Sequence, residues 1–193
     1  MGYADRIEWL HQLYPWEIQL TQLNLLDSHD TARYISIAGG DRASVRLATL
    51  LLMTMPGAPS VYYGDEIGLP GQNRDEDTRR PFPWHAPETW DRALLAYHKQ
   101  LIAMRHAHPA LRTGAFKRLY ADDDVYAFAR TGDGEMIVVA ANVADAPRTV
   151  LIPAADLLPD GAQLQPLYGA DGAGVAGGVI TIELPARDGA VHR

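Results

Sequence analysis

An α/β segment followed by an all-β domain is the fold class this sequence predicts, and three observations predict it. Between residues 19 and 63 a short apolar run, a long apolar helical pattern and a second short apolar run follow one another. That order is a βαβ unit, which implies two parallel strands. After Pro109 the apolar period shortens, and short runs separated by turn clusters recur at the spacing of an antiparallel sandwich. Two of those runs flank Thr131-Gly132-Asp133-Gly134, a strong hairpin signal. The boundary falls near 107–110, which divides the chain into residues 1–108 and 109–193.

Each element has its own warrant. Ile7, Leu10, Leu13 and Tyr14 share one helical face, and Pro15 ends that helix. Gln19 to Leu26 is short and apolar enough for a buried strand, followed by the polar loop Asp27-Ser28-His29-Asp30-Thr31. Gly39-Gly40-Asp41 opens a second helix with Asp41 as its cap. Val45 to Met55 is apolar nearly all round, as in a helix buried on most of its surface, and Pro56-Gly57 terminates it. Ser60-Val61-Tyr62-Tyr63 reads as the second buried strand. A polar loop from Gly64 to Pro87 follows, a length that marks functional or disordered segments. Thr89 is placed to cap a third helix carrying Leu94, Tyr97, Leu101 and Met104, which Pro109 closes. Beyond it, strands are predicted over 125–130, 136–141, 149–152, 163–168 and 179–184.

Composition bounds the class. The chain has 193 residues, 47% apolar, enough for a real core. With no cysteine there is no disulfide framework, thiolate metal site or thiol nucleophile. The 17 basic residues face 24 acidic ones, a net charge of −7. The split is 10 against 13 up to residue 107 and 7 against 11 after it, so neither part offers a basic surface to nucleic acid. The longest greasy run, Leu47 to Pro59, is too short for the roughly 20 apolar residues of a bilayer span. With no signal-like start, no membrane partner and a cytoplasmic location are the expectations.

In parallel α/β architectures ligands sit at the carboxyl ends of the strands, where His29-Asp30 and Asp65-Glu66 fall. A carboxylate beside a neutral imidazole can bind sugar hydroxyls or stabilise a developing cation. Taken alone, His29-Asp30 reads better as an ordinary polar turn with Asp30 capping a helix. Asp65-Glu66 likewise reads better as a structural pair of carboxylates bonding loop amides. No metal-ligand spacing appears: His98, His106 and His108 lie on or just past a helix end, a solvated terminus. No phosphate cradle and no nucleophile elbow appear either, and no cofactor is expected.

Longer strings change that balance. Leu25-Leu26-Asp27-Ser28-His29-Asp30-Thr31-Ala32-Arg33, Gly57 to Gly68 (GAPSVYYGDEIG) and Asn73 to Trp84 (NRDEDTRRPFPW) closely resemble three motifs of glycoside hydrolase family 13, the α-amylase family. The first two resemble its segments at barrel strands 7 and 8. The third is similar to a loop of its neopullulanase, cyclomaltodextrinase and maltogenic amylase branch. The resemblance covers nearly the whole chain and is strongest over residues 18–108.

It implies that residues 1–108 are the last two strand–helix units of a (β/α)8 TIM barrel, and that an antiparallel β-sandwich follows. By matched position, Asp30 would hydrogen-bond the reacting sugar and stabilise the transition state. His29 would bind the same sugar, and Asp75 and Arg79 would contact the next one. For Asp75 and Arg79 an exposed loop salt bridge is the alternative. Arg33 and Glu66 match positions that hold the loops. The family's nucleophile and acid/base belong to earlier strands, within a "G-x-R-x-D" string and a separate glutamate segment. No G-x-R-x-D occurs in these residues.

The chain thus reads as the C-terminal portion of a retaining glycosidase acting on maltodextrins, cyclodextrins or pullulan, inactive alone. The missing barrel would be supplied in cis or in trans. A non-catalytic carbohydrate-binding or structural protein built on the same pieces is the alternative. Two further expectations follow. Open strand edges and the apolar helix 41–55 would drive self-association, and the sandwich would fold alone.

Overall fold

The computed structural model describes residues 2–169 and 171–193. Helix α1 (Tyr3–Leu13) and helix α2 (Trp16–Thr21) lead into strand β1 (Leu23–Leu25). The short helix α3 (Tyr34–Ile37) precedes helix α4 (Arg42–Thr54), which returns the chain to strand β2 (Ala58–Ser60). Strands β1 and β2 pair in parallel, with Leu23 opposite Ala58 and Leu25 opposite Ser60, so the predicted βαβ unit is present. Asp41 caps α4: its side chain accepts from the Ala43 amide at 3.0 Å.

Both strands differ in extent from the sequence expectation. Residues 19–21 are helical because α2 closes over the end of α1: the Gln19 amide donates to the His11 and Tyr14 carbonyls at 2.5 and 2.7 Å. Those carbonyls are left open when Pro15 breaks the first helix. The second strand ends at Ser60, not Tyr63. Tyr62 and Tyr63 turn away to stack beside the Arg33 guanidinium, whose carbon lies 4.5 and 5.0 Å from the two ring centres.

Past the loop, short helix α5 (Asp75–Thr78) is followed by helix α6 (Arg92–Ala107). Asp91, not Thr89, caps α6 and accepts from the Leu94 amide at 3.0 Å. Thr89 ends a 3-10 turn, where its hydroxyl donates to the Ala86 carbonyl. Pro109 does more than close α6, because it opens helix α7 (Pro109–Thr113) as its first residue.

Two antiparallel sheets complete the chain. The first has the order β3 (Ala115–Ala121), β4 (Val125–Gly132), β5 (Glu135–Asn142), β11 (Gly189–His192), β8 (Pro166–Tyr168). The second has the order β6 (Arg148–Pro153), β10 (Val179–Leu184), β9 (Ala173–Ala176), β7 (Gln163–Leu164). The predicted hairpin turns at Asp133 (φ 52°) and Gly134 (φ 75°), both left-handed, as a two-residue turn of matching twist requires. The predicted strand 163–168 is two strands, because the chain crosses from one sheet to the other at Gln165.

The core runs across the boundary between the two parts. Val125, Ala127, Val138 and Ala140 face Ile152, Ile180 and Ile182 of the opposite sheet and fill the sandwich. The alternate residues Tyr126, Phe128, Ile137 and Val139 project the other way and pack with Leu50, Met53, Leu101 and Leu111 of the helices. Strand β4 is therefore apolar on both faces. The sandwich is not a closed unit, because one face of its first sheet is covered by the helices. One of its sheets is a middle layer.

Two buried arginines finish helix α4, one reaching it from that layer and one from α6. Arg130, fully buried on β4, donates to the carbonyls of Thr54, Leu111 and Gly114 at 2.7, 3.0 and 2.9 Å. Arg105 of α6 donates to Met53, Met55 and Gly57 at 2.8, 3.1 and 2.6 Å. Between them they satisfy the open carbonyls at the end of α4, where the helix dipole favours a cation.

Candidate functional site

Parallel pairing puts the carboxyl ends of β1 and β2 on the same side, and the segments 26–33 and 61–66 leave from there. Arg33 binds these segments together from below. Its side chain is 0% exposed. It donates to the Tyr63 carbonyl at 2.7 Å, to Asp65 Oδ1 at 3.1 Å and to the Thr78 carbonyl at 3.4 Å. One guanidinium thus joins the β1 loop, the β2 loop and α5.

Asp65 has a second neighbour in Asp27, which is also buried and accepts from the Tyr34 amide at 2.5 Å. Burial, followed by the Asp27 charge, pushes the Asp65 carboxyl up to about 8 against the pull of Arg33. The pocket thus favours the neutral form of the Asp65 carboxyl. Glu66 points elsewhere: its carboxylate accepts from the Gly64 amide at 2.8 Å and closes the turn there.

Over this base lie the exposed groups. Asp30 stands with its side chain 70% exposed, its Oδ1 3.3 Å from His29 Nε2 and 3.0 Å from Arg79 Nη2. The other arm of the Arg79 guanidinium bonds Asp75 Oδ1, one helical turn away on α5. Four groups separated by up to 50 residues in sequence therefore meet at one point. Their arrangement alternates acid and base: imidazole, carboxylate, guanidinium, carboxylate. Such a rim offers acceptors and donors in close order, which is what the hydroxyls of a sugar demand.

Thr78 is the part the sequence reading missed. Buried on α5, it donates its hydroxyl to the His29 carbonyl at 2.9 Å, while its own carbonyl accepts from Arg33 and from the Tyr62 hydroxyl at 3.0 Å. It fixes the Asp75–Arg79 turn against the His29–Asp30 loop. Its one sequence signal is its place between Asp75 and Arg79, three residues after the first and one before the second.

Among the described residues no group of three or more His, Cys, Asp or Glu side chains is arranged to hold a metal ion. None of the described helices is long and apolar enough to cross a membrane.

Comparison with known proteins gives this geometry a setting. The family model described as "Alpha amylase, catalytic domain" matches residues 5–114, and the one described as "Alpha-amylase C-terminal domain" matches residues 114–192. The chain is 42% identical over 142 residues to neopullulanase 2 of Thermoactinomyces vulgaris, a match covering 72% of this chain and 24% of that protein. It is 39% identical over 142 residues to a cyclomaltodextrinase of Geobacillus thermopakistaniensis, with the same coverage of 72% and 24%. The chain spans about a quarter of the length of these curated relatives. Among solved structures, the native debranching enzyme of Nostoc punctiforme is similar at a TM-score of 0.87 and 48% identity, over 98% of this chain and 39% of that one.

Proposed function

The chain belongs to the α-amylase family, and from that premise we propose that it supplies one wall of a site that hydrolyses α-glucans such as maltodextrins, cyclodextrins or pullulan. The observation that carries this reading is the convergence of His29, Asp30, Arg79 and Asp75 at the carboxyl end of β1. Asp30, with His29 beside it, would accept hydrogen bonds from hydroxyls of the reacting sugar. Those bonds tighten as the ring flattens toward an oxocarbenium-like transition state, which is stabilisation specific to that state. Asp75 and Arg79 would hold the neighbouring sugar, and Arg33 and Thr78 keep the three segments in register beneath them.

The reaction itself asks for more than this wall. A retaining glycosidase uses two carboxyl groups about 5–5.5 Å apart, one as nucleophile and one as acid/base. Asp30 cannot fill both places, so those groups would come from a portion of the barrel outside this chain, joined in cis or supplied in trans. Alone, the 193 residues should release no reducing sugar from maltodextrin.

A chimera tests the proposal. Residues 5–192 replace the matching segment of the Nostoc punctiforme debranching enzyme, which is 48% identical to this chain. The chimera should hydrolyse maltodextrin, and Asp30→Asn within it should lower kcat by at least about a hundredfold, the scale of one lost transition-state hydrogen-bonding group. A folded chimera whose kcat is indifferent to Asp30→Asn would overturn the assignment.

A further inference from the structure

Beyond Arg79 the same loop ends in an aromatic cluster that the site does not use. Trp84 is 73% exposed, the most open large apolar side chain among the described residues. It is nonetheless held in place. Its ring centre lies 4.4 Å from Phe82 at a tilt of 39° and 5.7 Å from Trp90 edge-on, and Phe82 meets Trp90 edge-on at 5.2 Å. Trp90 is fixed in turn: its indole N–H donates to the Pro83 carbonyl at 3.1 Å, and the Arg92 guanidinium covers it at 4.6 Å. Backbone bonds from Trp84 to Phe82 and from Ala86 to Pro83 stiffen the turn. A large indole fixed by its neighbours and turned to water loses little conformational entropy on binding.

We propose that the Phe82–Trp84–Trp90 cluster is a second glucan-binding platform, on which a sugar ring of an α-glucan stacks outside the His29–Asp30–Arg79 cluster. A pyranose has an apolar C–H face that matches an indole in size, with hydroxyls on its rim for neighbouring donors. Such a ring is neutral, which suits the surroundings: Arg80 is occupied by Asp77 at 3.2 Å and Arg92 by Trp90. A stacked nucleic-acid base would bring a phosphate chain to a protein of net charge −7. The platform is also continuous with the site. The Arg80 carbonyl accepts from the Tyr63 hydroxyl at 2.8 Å, which ties the start of the platform turn to the β2 loop. Trp84 lies five positions beyond Arg79, a reach of at most about 18 Å, so one chain of several sugars can touch both. This inference rests on the α-glucan reading for its choice of ligand.

Affinity electrophoresis of the 193-residue chain through gels containing glycogen tests it, with maltoheptaose as the soluble competitor. The wild type should be retarded. Trp84→Ala should weaken binding at least tenfold, Trp84→Phe should restore part of it, and Leu151→Ala, at an exposed apolar residue of β6 away from both clusters, should leave it within about twofold. Because Trp84 is exposed, thermal melts of the variants should coincide with the wild type and remove misfolding as an explanation. No retardation of the wild type would overturn the platform. Retardation that survives Trp84→Ala but fails in Asp30→Asn would overturn it while leaving the glucan site standing. A Trp84→Ala change that alters sedimentation but not retardation would assign the patch to contact between copies and overturn it too. The kcat of the Asp30 chimera reports on the α-glucan reading itself, whatever happens at Trp84.

Discussion

Replacing Arg130 by methionine removes a charge while keeping much of the side-chain volume, and the structure sets the size of the effect. Three carbonyls, at Thr54, Leu111 and Gly114, lose their donor in a place water does not reach. Bonds to a charged group contribute about 1.5–3 kcal/mol each after solvation is counted. Against that stands the cost of the buried charge: burial, with Arg105 nearby, pushes the guanidinium down to about 9 from its ordinary value. Methionine escapes that cost, so a net loss of about 3–4 kcal/mol is the expected result, below the simple sum of three bonds. For a chain of this length each kcal/mol moves the midpoint by about 2–4 °C, giving a fall of about 6–16 °C. Thermal unfolding followed by far-ultraviolet circular dichroism measures it. Arg130→Lys, with one compact ammonium in place of a fork, should recover only part of the loss. A midpoint within about 3 °C of wild type for Arg130→Met would refute the claim that this guanidinium joins the sheet to the helices.

Two further outcomes are expected. Asp65 keeps its proton in the folded protein up to about 8 but loses it near the ordinary carboxylate value when unfolded, so its contribution favours folding below about pH 4 and fades as pH rises to 8. His11 and His98, both pushed down chiefly by burial, act in the opposite sense near and below pH 6.5. The informative quantity is therefore the Asp65→Asn difference from wild type: melts at pH 5 and pH 8 should show the variant gaining relative stability at pH 8, and parallel curves would refute the upward shift of Asp65. Gly57 has φ 103°, and a Cβ there would lie 2.6 Å from Asn24 Nδ2 and 2.8 Å from the Gln22 carbonyl oxygen. Gly57→Ala should cost about 2 kcal/mol or more by chemical denaturation, since β1 and β2 must part to admit the methyl; a cost under about 0.5 kcal/mol would contradict that.

Much of this molecule was legible in its residues, for physical reasons that also explain the gaps. Helix α4 announced itself by an Asp cap, an all-round apolar run and a Pro-Gly stop, because each of those is a local requirement. The β4–β5 hairpin did so through Asp133-Gly134, a pair suited to left-handed backbone. Strand β11, by contrast, is Gly189-Ala190-Val191-His192, with no turn signal and little bulk. It is a strand because β5 and β8 flank it, which no local pattern states. Helix α2 was misread as strand because its stabilising bonds come from Gln19 to the helix before it. At the site, Asp30 and Arg79 were singled out through motif resemblance, yet the bond between them spans 49 residues and could come only from the fold. Thr78 and the closeness of Asp27 to Asp65 carry no sequence signature, since the fold and burial give them their chemistry.

The middle-layer sheet limits how such a chain can be recombined. A β-domain joined to its neighbour by a linker can be traded between proteins like a cartridge. Here Tyr126, Phe128, Ile137 and Val139 belong to the same core as Leu50, Met53 and Leu101, and Arg130 finishes helices that lie outside its own sheet. A graft cut at residue 114 would carry half of a mated surface to a host that lacks the other half. The unit of inheritance is accordingly larger than the visible domain: the sheets travel with α4, α6 and α7, or they arrive with an unmatched face.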